Sequence, residues 1–171
     1  MPEKEVEILL GELLRSRGLK LAVAESCTGG LIAHCITNVP GSSEYFLGGI
    51  IAYAYEAKVA LLDVSWHTLH RFGAVSRETV LEMARGVRAR LAADIGLSVS
   101  GIAGPGGGMP EKPVGLTWIG LSASGFEDAW SYRWTGDRLQ IKEQAAWQAM
   151  RLLVDYLKAE QTAYENDDGA G

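Results

Sequence analysis

LKLAVAESCTGGLIAHCIT, residues 19–37, contains a short apolar run, a polar cluster of small residues, and a segment with apolar side chains at helical spacing. This order predicts a buried strand over 19–24, a turn, and a helix that begins near Thr28. In open α/β sheets, ligands bind where such strands end and the next helices begin. The stretch therefore predicts an α/β fold and a candidate site at Ser26.

The rest of the chain continues to alternate helices and strands. Further helices are predicted at 5–16, after residue 53 through Leu62, at 76–93 and at 138–158, and further strands at 48–53, 97–102, 114–123 and 129–135. The last two strands are separated by a hairpin-like turn, so they should be antiparallel. Because crossover helices must cover both faces of a parallel sheet, we expect a three-layer α/β/α sandwich with a mixed, mostly parallel sheet.

Length and composition predict one folded unit. The chain has 171 residues and is 47% hydrophobic, which is enough to fill one substantial core. We therefore expect a single domain over 1–160. The last residues read ENDDGAG, and such a polar, glycine-containing end predicts a disordered tail over 161–171.

Charge and hydropathy narrow the class of partner. A net charge of -5 argues against a general nucleic-acid binder, because affinity for a phosphate backbone depends on clustered Lys and Arg. No run approaches the roughly 20 apolar residues that span a bilayer, and Met1 is not followed by a basic and then an apolar segment. The two cysteines form no multi-disulfide framework. We expect a cytoplasmic protein that binds neither nucleic acid nor membrane.

Ser26 is the first candidate nucleophile. Backbone NH groups near Thr28 at the start of the next helix can hold an oxyanion or a phosphate, and Gly29 and Gly30 let a ligand approach the backbone closely. The simpler alternative is that Ser26 or Thr28 only caps the helix, as serine and threonine often do.

Cys27 is a rival nucleophile, because a helix N-terminus lowers the pKa of a thiol. A cysteine hydrolase generally also needs a histidine partner. The three histidines, His34, His67 and His70, lie in or beside predicted helices without an associated Asp or Asn pattern. We therefore expect Cys27 to have a structural role.

Lys58 is the candidate base. It follows an apolar strand in IIAYAYEAK, residues 50–58, and lies close to Tyr53. Apolar surroundings lower the pKa of an ammonium group, so a neutral lysine can take a proton from a serine without any histidine. The alternative is a surface lysine whose aliphatic stem alone is buried. Tyr53 can be a core residue or can relay a proton to the nucleophile.

SGIAGPGGG, residues 100–108, is a glycine-rich loop after a predicted strand. It matches neither phosphate-loop template, since no GKS or GKT follows and Met109 stands where the third dinucleotide-fingerprint glycine belongs. Gly101 and Gly104 can still bring backbone against a ring or a phosphate, with residues 111–113 closing over it as a lid. The alternative is a flexible surface turn.

Two further motifs are ambiguous. Ser42 and Ser43 in PGSSEYF can contribute hydroxyls or simply cap the following turn. Arg138 in GDR can bind a phosphate or pair with Asp137. No His, Cys, Asp or Glu cluster has metal-ligand spacing, so we expect no metal and no cofactor.

Six motifs in order make the chain resemble the CinA family, in the C-terminal domain that acts as nicotinamide mononucleotide amidohydrolase. The resemblance covers residues 5–158 and rests on AESCTGG, VPGSSEYF, AYEAKVALL, GAVS, SGIAGPGGG followed by EKPVG, and GDR. It implies hydrolysis of nicotinamide mononucleotide to nicotinate mononucleotide and ammonia, a step toward NAD, by a metal-free serine-lysine mechanism. It also implies an α/β/α fold and a homo-oligomer, a dimer or larger.

The resemblance also implies individual roles. Ser26 corresponds to the catalytic serine, Lys58 to the catalytic lysine and Tyr53 to the tyrosine before it, while Ser43 assists the site and Arg138 is a candidate for binding the substrate phosphate. Many relatives read YSNEAK where this chain reads YAYEAK, so Ala54 and Tyr55 replace a polar pair near the proposed base. Two alternatives therefore remain: a non-catalytic nucleotide-binding or interaction module, and an amidohydrolase for another small amide.

Overall fold

The computed structural model describes residues 3–167, which contain six α-helices and five β-strands. The helices are α1 (Glu3–Ser16), α2 (Leu31–Thr37), α3 (Tyr55–Leu62), α4 (Trp66–Phe72), α5 (Arg77–Arg90) and α6 (Arg138–Asp167). The strands are β1 (Leu21–Glu25), β2 (Phe46–Ile51), β3 (Ile95–Gly101), β4 (Leu116–Ala123) and β5 (Phe126–Arg133). The α/β class predicted from the sequence is confirmed.

The strands form one sheet in the order β2-β1-β3-β4-β5. Strand β1 pairs in parallel with β2 and β3, whereas β3–β4 and β4–β5 pair antiparallel. The expectation of a mixed sheet is confirmed, but the expectation of a mostly parallel one is not. The reason is the β4–β5 hairpin, which follows β3 directly and reverses the chain direction twice.

Helices pack on this sheet through two apolar clusters that divide β1 between them. Leu21 and Val23 belong to a cluster with residues of α1, α2 and α6. Ala22 and Ala24 belong to a second cluster with residues of α3, α4 and α5. Because successive side chains of a strand alternate between its faces, every residue of β1 is buried. Strand β1 is therefore an interior strand, with β2 and β3 as its neighbours, and the site is built from its carboxyl end.

Two elements differ from the sequence prediction. Helix α4, which Ser65 caps by accepting from the amide of His67 at 3.1 Å, was not predicted because its seven residues are too short to show a clear apolar period. Helix α6 continues to Asp167, so the predicted tail is helical in backbone over 161–167, where alanine, glutamate and glutamine favour a helix. Residues 168–171 of that tail lie outside the described residues.

The long helix α6 is not a membrane span. Its apolar residues alternate with charged ones, and no helix within residues 3–167 is long and apolar enough to cross a bilayer.

Candidate active site

Ser26 lies directly after the carboxyl end of β1. Its amide donates to the carbonyl oxygen of Val99 in the neighbouring strand β3, at 3.0 Å. The side chain is 7% exposed, so the hydroxyl faces the interior of a cleft and not open solvent. The parallel pairing of β1 with β2 and β3 therefore places Ser26 at the edge where three strands end.

The turn after Ser26 is capped from inside by a carboxylate. Glu25 is buried, and its side-chain oxygens accept from the amides of Gly30, Ile32 and Ala33 at 3.0, 3.1 and 2.9 Å. A negative group at the start of a helix is favourable because it satisfies amides that otherwise lack partners. Gly30 takes a positive φ of 100°, which favours glycine at this position.

This cap changes the expectation that the backbone at Gly29 and Gly30 contacts a ligand. The amide of Gly30 is engaged by Glu25, and the amide of Gly29 donates to the carbonyl of Ser26 at 3.1 Å. Neither amide is free for a ligand, although both glycines line a cavity. The amides of Cys27 and Thr28 have no backbone acceptor within residues 3–167, so they are the donors that remain beside Ser26.

Lys58 reaches Ser26 from the first turn of α3. Its Nζ lies 2.9 Å from Ser26 Oγ, 2.8 Å from the carbonyl oxygen of Ala52 and 3.1 Å from that of Tyr53. The residue has no exposed surface. The alternative of a surface lysine with a solvated head group is thus excluded by the structure.

Burial prepares Lys58 for proton transfer. Removal from water lowers the pKa of Lys58 from 10.5 to about 8, because the charged ammonium loses hydration. A neutral amine has two NH donors and one lone pair, and two of its three neighbours are carbonyl oxygens that can only accept. The two NH groups of a neutral Lys58 therefore match Ala52 and Tyr53, which leaves the lone pair directed at the hydroxyl of Ser26.

A cavity of about 180 Å³ opens beside this pair. It is lined by Ser26, Cys27, Tyr53, Lys58, Ala74, Val75, Ser100, Gly101, Ala103 and Arg138. Five predicted site residues thus meet around one space, although 112 positions separate the first from the last. The volume suits a small planar group.

Tyr53 and Arg138 stand together at the mouth of this cavity. Arg138, the first residue of α6, donates from Nη2 to the hydroxyl of Tyr53 at 2.9 Å and from Nη1 to the carbonyl of Gly104 at 2.6 Å. Tyr53 is 60% exposed, so it is not the core residue that one interpretation of the sequence allowed. Arg138 does not pair with Asp137, since its guanidinium bridges α6 to the glycine-rich loop.

The glycine-rich loop contributes backbone where a side chain has no room. A β-carbon on Gly101 would lie 2.5 Å from Thr117 Oγ1 and 3.1 Å from Cys27 Sγ. At the far end of the loop, Lys112 donates to the carbonyl oxygen of Phe72 in α4. This contact anchors the segment that the sequence predicts as a lid.

Two residues that sequence reasoning missed also belong to this region. Glu25 has the capping role described above, and Ser100 lines the cavity with a buried hydroxyl that has no partner among the described residues. Ser100 could have been found from its place near the end of β3, since β3 runs parallel to β1 and ends at the same edge. Nothing in the sequence distinguishes Glu25 from an ordinary carboxylate.

Ser43 does not join the other candidates. It is exposed in a short 3-10 turn, Ser42–Glu44, that precedes the amino end of β2. Ser26 follows the carboxyl end of β1, and the parallel pairing of the strands puts these two ends apart. The six residues of β2 separate them by roughly 20 Å, so Ser43 cannot assist Ser26 within the same chain.

Cys27 has the properties of a structural thiol. It is 6% exposed, and burial raises its pKa from 9.0 to about 12. A thiol with that pKa carries almost no thiolate at neutral pH, and the thiolate is the nucleophilic form. This supports the structural interpretation of Cys27 over the nucleophilic one.

We expect iodoacetamide at pH 8 to leave Cys27 unmodified in the folded protein, because neither access nor a thiolate is available. Peptide mass spectrometry of the alkylated protein measures this directly, with the urea-denatured protein as the fully labelled control. Rapid labelling of Cys27 in the folded protein would restore it as a rival nucleophile.

A larger cavity lies away from the nucleophile. It has a volume of about 710 Å³ and is lined by residues of α4, α5, β4, β5 and the loop after β3. It shares Val75 with the smaller cavity but contains neither Ser26 nor Lys58. The chemistry therefore belongs to the smaller space.

No metal-binding arrangement accompanies either cavity. Among the side chains that the structure describes, no group of three or more His, Cys, Asp or Glu residues is placed to hold a metal ion.

Comparison with known families gives one consistent match. A family model described as the CinA C-terminal domain matches residues 3–157. A putative competence-damage inducible protein of Moorella thermoacetica is 50% identical over 155 residues, which are 91% of this chain and 37% of that protein. One from Halothermothrix orenii is 52% identical over 150 residues, 87% of this chain and 36% of that protein. The chain spans little more than a third of these relatives.

Solved structures agree in fold over nearly their full length. A competence-damaged protein (CinA) superfamily protein from Klebsiella pneumoniae superposes with a TM-score of 0.89 at 33% identity, covering 93% of this chain and 99% of that one. A competence/damage inducible protein from Agrobacterium tumefaciens gives a TM-score of 0.85 at 37% identity, covering 91% and 95%.

Proposed function

The chain belongs to the CinA C-terminal domain family, and we propose on that premise that it is a serine amidohydrolase acting on nicotinamide mononucleotide. The reaction hydrolyses the carboxamide to give nicotinate mononucleotide and ammonia, a salvage step toward NAD. The observation that carries the proposal is the 2.9 Å contact between Lys58 Nζ and Ser26 Oγ, at a lysine whose pKa is lowered to about 8. A buried amine beside a serine is the arrangement that activates a nucleophile without histidine.

The first half of the reaction forms an acyl-enzyme. Neutral Lys58 takes the hydroxyl proton of Ser26, and Ser26 Oγ forms a bond to the carboxamide carbon, whose carbonyl oxygen becomes an oxyanion. Lys58 then gives its extra proton to the departing nitrogen, the carbon–nitrogen bond breaks, and ammonia leaves. The nicotinoyl group remains as an ester on Ser26.

The second half reverses these roles with water in place of the amide. Neutral Lys58 takes a proton from water, the resulting hydroxide attacks the ester carbon, and the proton returns to Ser26 Oγ as the ester bond breaks. Nicotinate mononucleotide is released and the pair is restored. One buried amine thus serves as base and acid in both halves.

Charge on the oxyanion needs donors next to Ser26. We assign this role to the amides of Cys27 and Thr28, which remain free of backbone acceptors within residues 3–167. Preorganised backbone donors of this kind cost no reorganisation during the reaction. Ser100 lines the same cavity, and its buried hydroxyl, which has no partner among the described residues, is available to bond to the carboxamide.

The remaining candidates hold and enclose the substrate. Arg138 fixes Tyr53 and the carbonyl of Gly104 at the mouth, so these three groups form the rim over which the pyridine ring enters. Gly101 lines the cavity as backbone, because a β-carbon there would lie 2.5 Å from Thr117 Oγ1. A phosphate role for Arg138 stays a prediction.

The layering of the fold is part of the same proposal. The two apolar clusters take alternate residues of β1 and contain residues of α1, α2 and α6 in one case and of α3, α4 and α5 in the other. Alternation on a strand puts them on opposite faces, which supports an α/β/α arrangement in three layers. A single domain over 1–160, a homo-oligomer and a cytoplasmic location stay predictions.

The pH dependence of the reaction follows from Lys58. Its pKa of about 8 means that the base is protonated and inactive below that pH. We expect kcat/KM for nicotinamide mononucleotide to rise about tenfold per pH unit up to roughly pH 8 and then to level off. A steady-state series from pH 6 to pH 10 measures this. A rate independent of pH over this range would contradict the role of Lys58 as base.

The same protein sample also tests the two other candidate functions, a nucleotide-binding module and an amidohydrolase for another small amide. Tyr55, one of the two residues that depart from the YSNEAK motif of many relatives, bears on which amide the site accepts. Its hydroxyl accepts from the amide of Ala74, a residue of the cavity wall, at 3.2 Å. If nicotinamide mononucleotide is left intact but raises the melting temperature, the protein is a binding module. If it does neither, a screen of other small amides tests the remaining alternative.

A further inference from the structure

We propose that the cavity on the other side of the Ser26 turn is an anion subsite that binds the 5′-phosphate of the nucleotide, with Lys142 and the hydroxyl of Thr28 as its main groups. This inference rests on the proposed function for the identity of the substrate. The cavity itself is defined by the structure, independently of any activity.

This cavity has a volume of about 320 Å³. It is lined by Thr28, Gly29, Gly30, Leu31, His34, Leu139, Lys142 and Glu143. Ser26 and Cys27 line the catalytic cavity, and the next two residues line this one. In the first turn of α6, Arg138 lines the catalytic cavity and its neighbour Leu139 lines this one. The two cavities therefore lie on either side of one turn.

Thr28, which lines this cavity, has a buried hydroxyl that lacks a partner among the described residues. Thr28 is 1% exposed, and its Oγ1 has no hydrogen-bond partner among the described residues. A buried polar group without a partner is costly, and a phosphate oxygen bound beside Thr28 would satisfy it once this side chain turns toward the cavity.

Charge supplies the second, independent observation. Lys142 lies over the turn, since its Nζ is 3.8 Å from the position of a β-carbon built on Gly29. It forms no ion pair with any carboxylate that the structure describes. His34 from α2 lines the same space, and Glu143 is its acidic member. A partly buried lysine that lacks a counter-ion among the described residues suits a small anion.

Three other cations near the site, Arg138, Lys112 and Arg77, are already engaged. Both terminal nitrogens of Arg138 donate within the protein, to Gly104 and Tyr53. In the larger cavity, Lys112 donates to the carbonyl of Phe72 and Arg77 pairs with Asp128 at 2.8 Å. Arg138 lines the catalytic cavity and not this one, so Lys142 is the candidate for a phosphate bound here.

The test compares a substrate that carries the phosphate with one that lacks it. We expect Lys142→Gln to lower kcat/KM for nicotinamide mononucleotide about tenfold or more, through loss of a charge-assisted hydrogen bond, and to leave kcat/KM for nicotinamide riboside unchanged. Arg133→Gln, an exposed cation of the larger cavity, is the matched control and should change neither value. Equal effects of Lys142→Gln on both substrates, or none on either, would overturn the proposal.

A binding measurement keeps this test separate from the proposed activity. Ribose 5-phosphate is titrated into the wild type and into Lys142→Gln by calorimetry, without any turnover. We expect binding to the wild type and its loss in Lys142→Gln. If the wild type hydrolyses no amide but binds ribose 5-phosphate through Lys142, the subsite stands and the proposed reaction fails. If ribose 5-phosphate does not bind, or binds both proteins equally, the subsite is wrong.

Discussion

Replacing Ser26 with alanine is expected to reduce the release of ammonia from nicotinamide mononucleotide to near background. The substitution removes the atom that forms the acyl-enzyme, and catalytic serines that act with a base lose almost all turnover when deleted. A fall in kcat on the order of 10³-fold or more is expected, measured by coupled detection of ammonia. The variant should still bind the nucleotide, because Ser26 contributes only part of one cavity.

The control for this variant is its neighbour. Cys27→Ala alters the same turn and the same cavity but removes a thiol that the reaction does not use, so most activity should remain. Circular dichroism confirms that both variants are folded. If Ser26→Ala kept most of its activity while Cys27→Ala lost it, the nucleophile would be Cys27 and the serine mechanism would be wrong.

Replacing Lys58 with methionine is expected to cause the second large loss of activity. Methionine is similar in length and suits the buried position, but it cannot accept the proton of Ser26. General-base catalysis contributes on the order of 10²- to 10⁴-fold, so we expect kcat to fall by that amount. Stopped assays over several hours at pH 8 measure the residual rate.

Lys58→Arg separates base chemistry from positive charge. A guanidinium keeps the charge and the donors toward the carbonyls of Ala52 and Tyr53, but its pKa is too high for it to act as a base. It should be as inactive as Lys58→Met. Substantial activity in Lys58→Arg would mean that Lys58 only positions Ser26 and that another group removes the proton.

The sequence predicts the place of the nucleophile well, for a local reason. Strand, turn and helix follow one another within residues 19–37, so the position of Ser26 at a strand end needs no knowledge of distant contacts. Glycines at 29 and 30 mark the turn, and both have positive φ in the structure. Sequence patterns of this kind predict the structure correctly because local geometry alone determines it.

The contact with Lys58 is different in kind. It joins residues 32 positions apart and depends on the parallel pairing of β1 with β2, in which Glu25 stands opposite Ile51. Periodicity shows that both strands exist but not which strands are neighbours. The resemblance to the CinA family suggested the pair of Ser26 and Lys58. Only the three-dimensional arrangement gives the distance between the two side chains and their burial.

Ser43 shows the limit of transferring a role from a motif. Its motif matches, yet the residue lies at the amino end of β2 while Ser26 follows the carboxyl end of β1. A motif records residue types in order and carries no information about which end of a strand they occupy. The opposite case is Glu25, which lies inside the AESCTGG motif but was given no role, because the three hydrogen bonds that it accepts form only when the turn folds back.

One experiment decides between amide hydrolysis and binding alone. The wild-type protein is incubated with nicotinamide mononucleotide and a metal chelator, and nicotinate mononucleotide and ammonia are quantified over time. We predict equal amounts of the two products at a rate that the chelator does not change. Intact substrate, or release of free nicotinamide through cleavage of the glycosidic bond, would contradict the serine-lysine amidohydrolase.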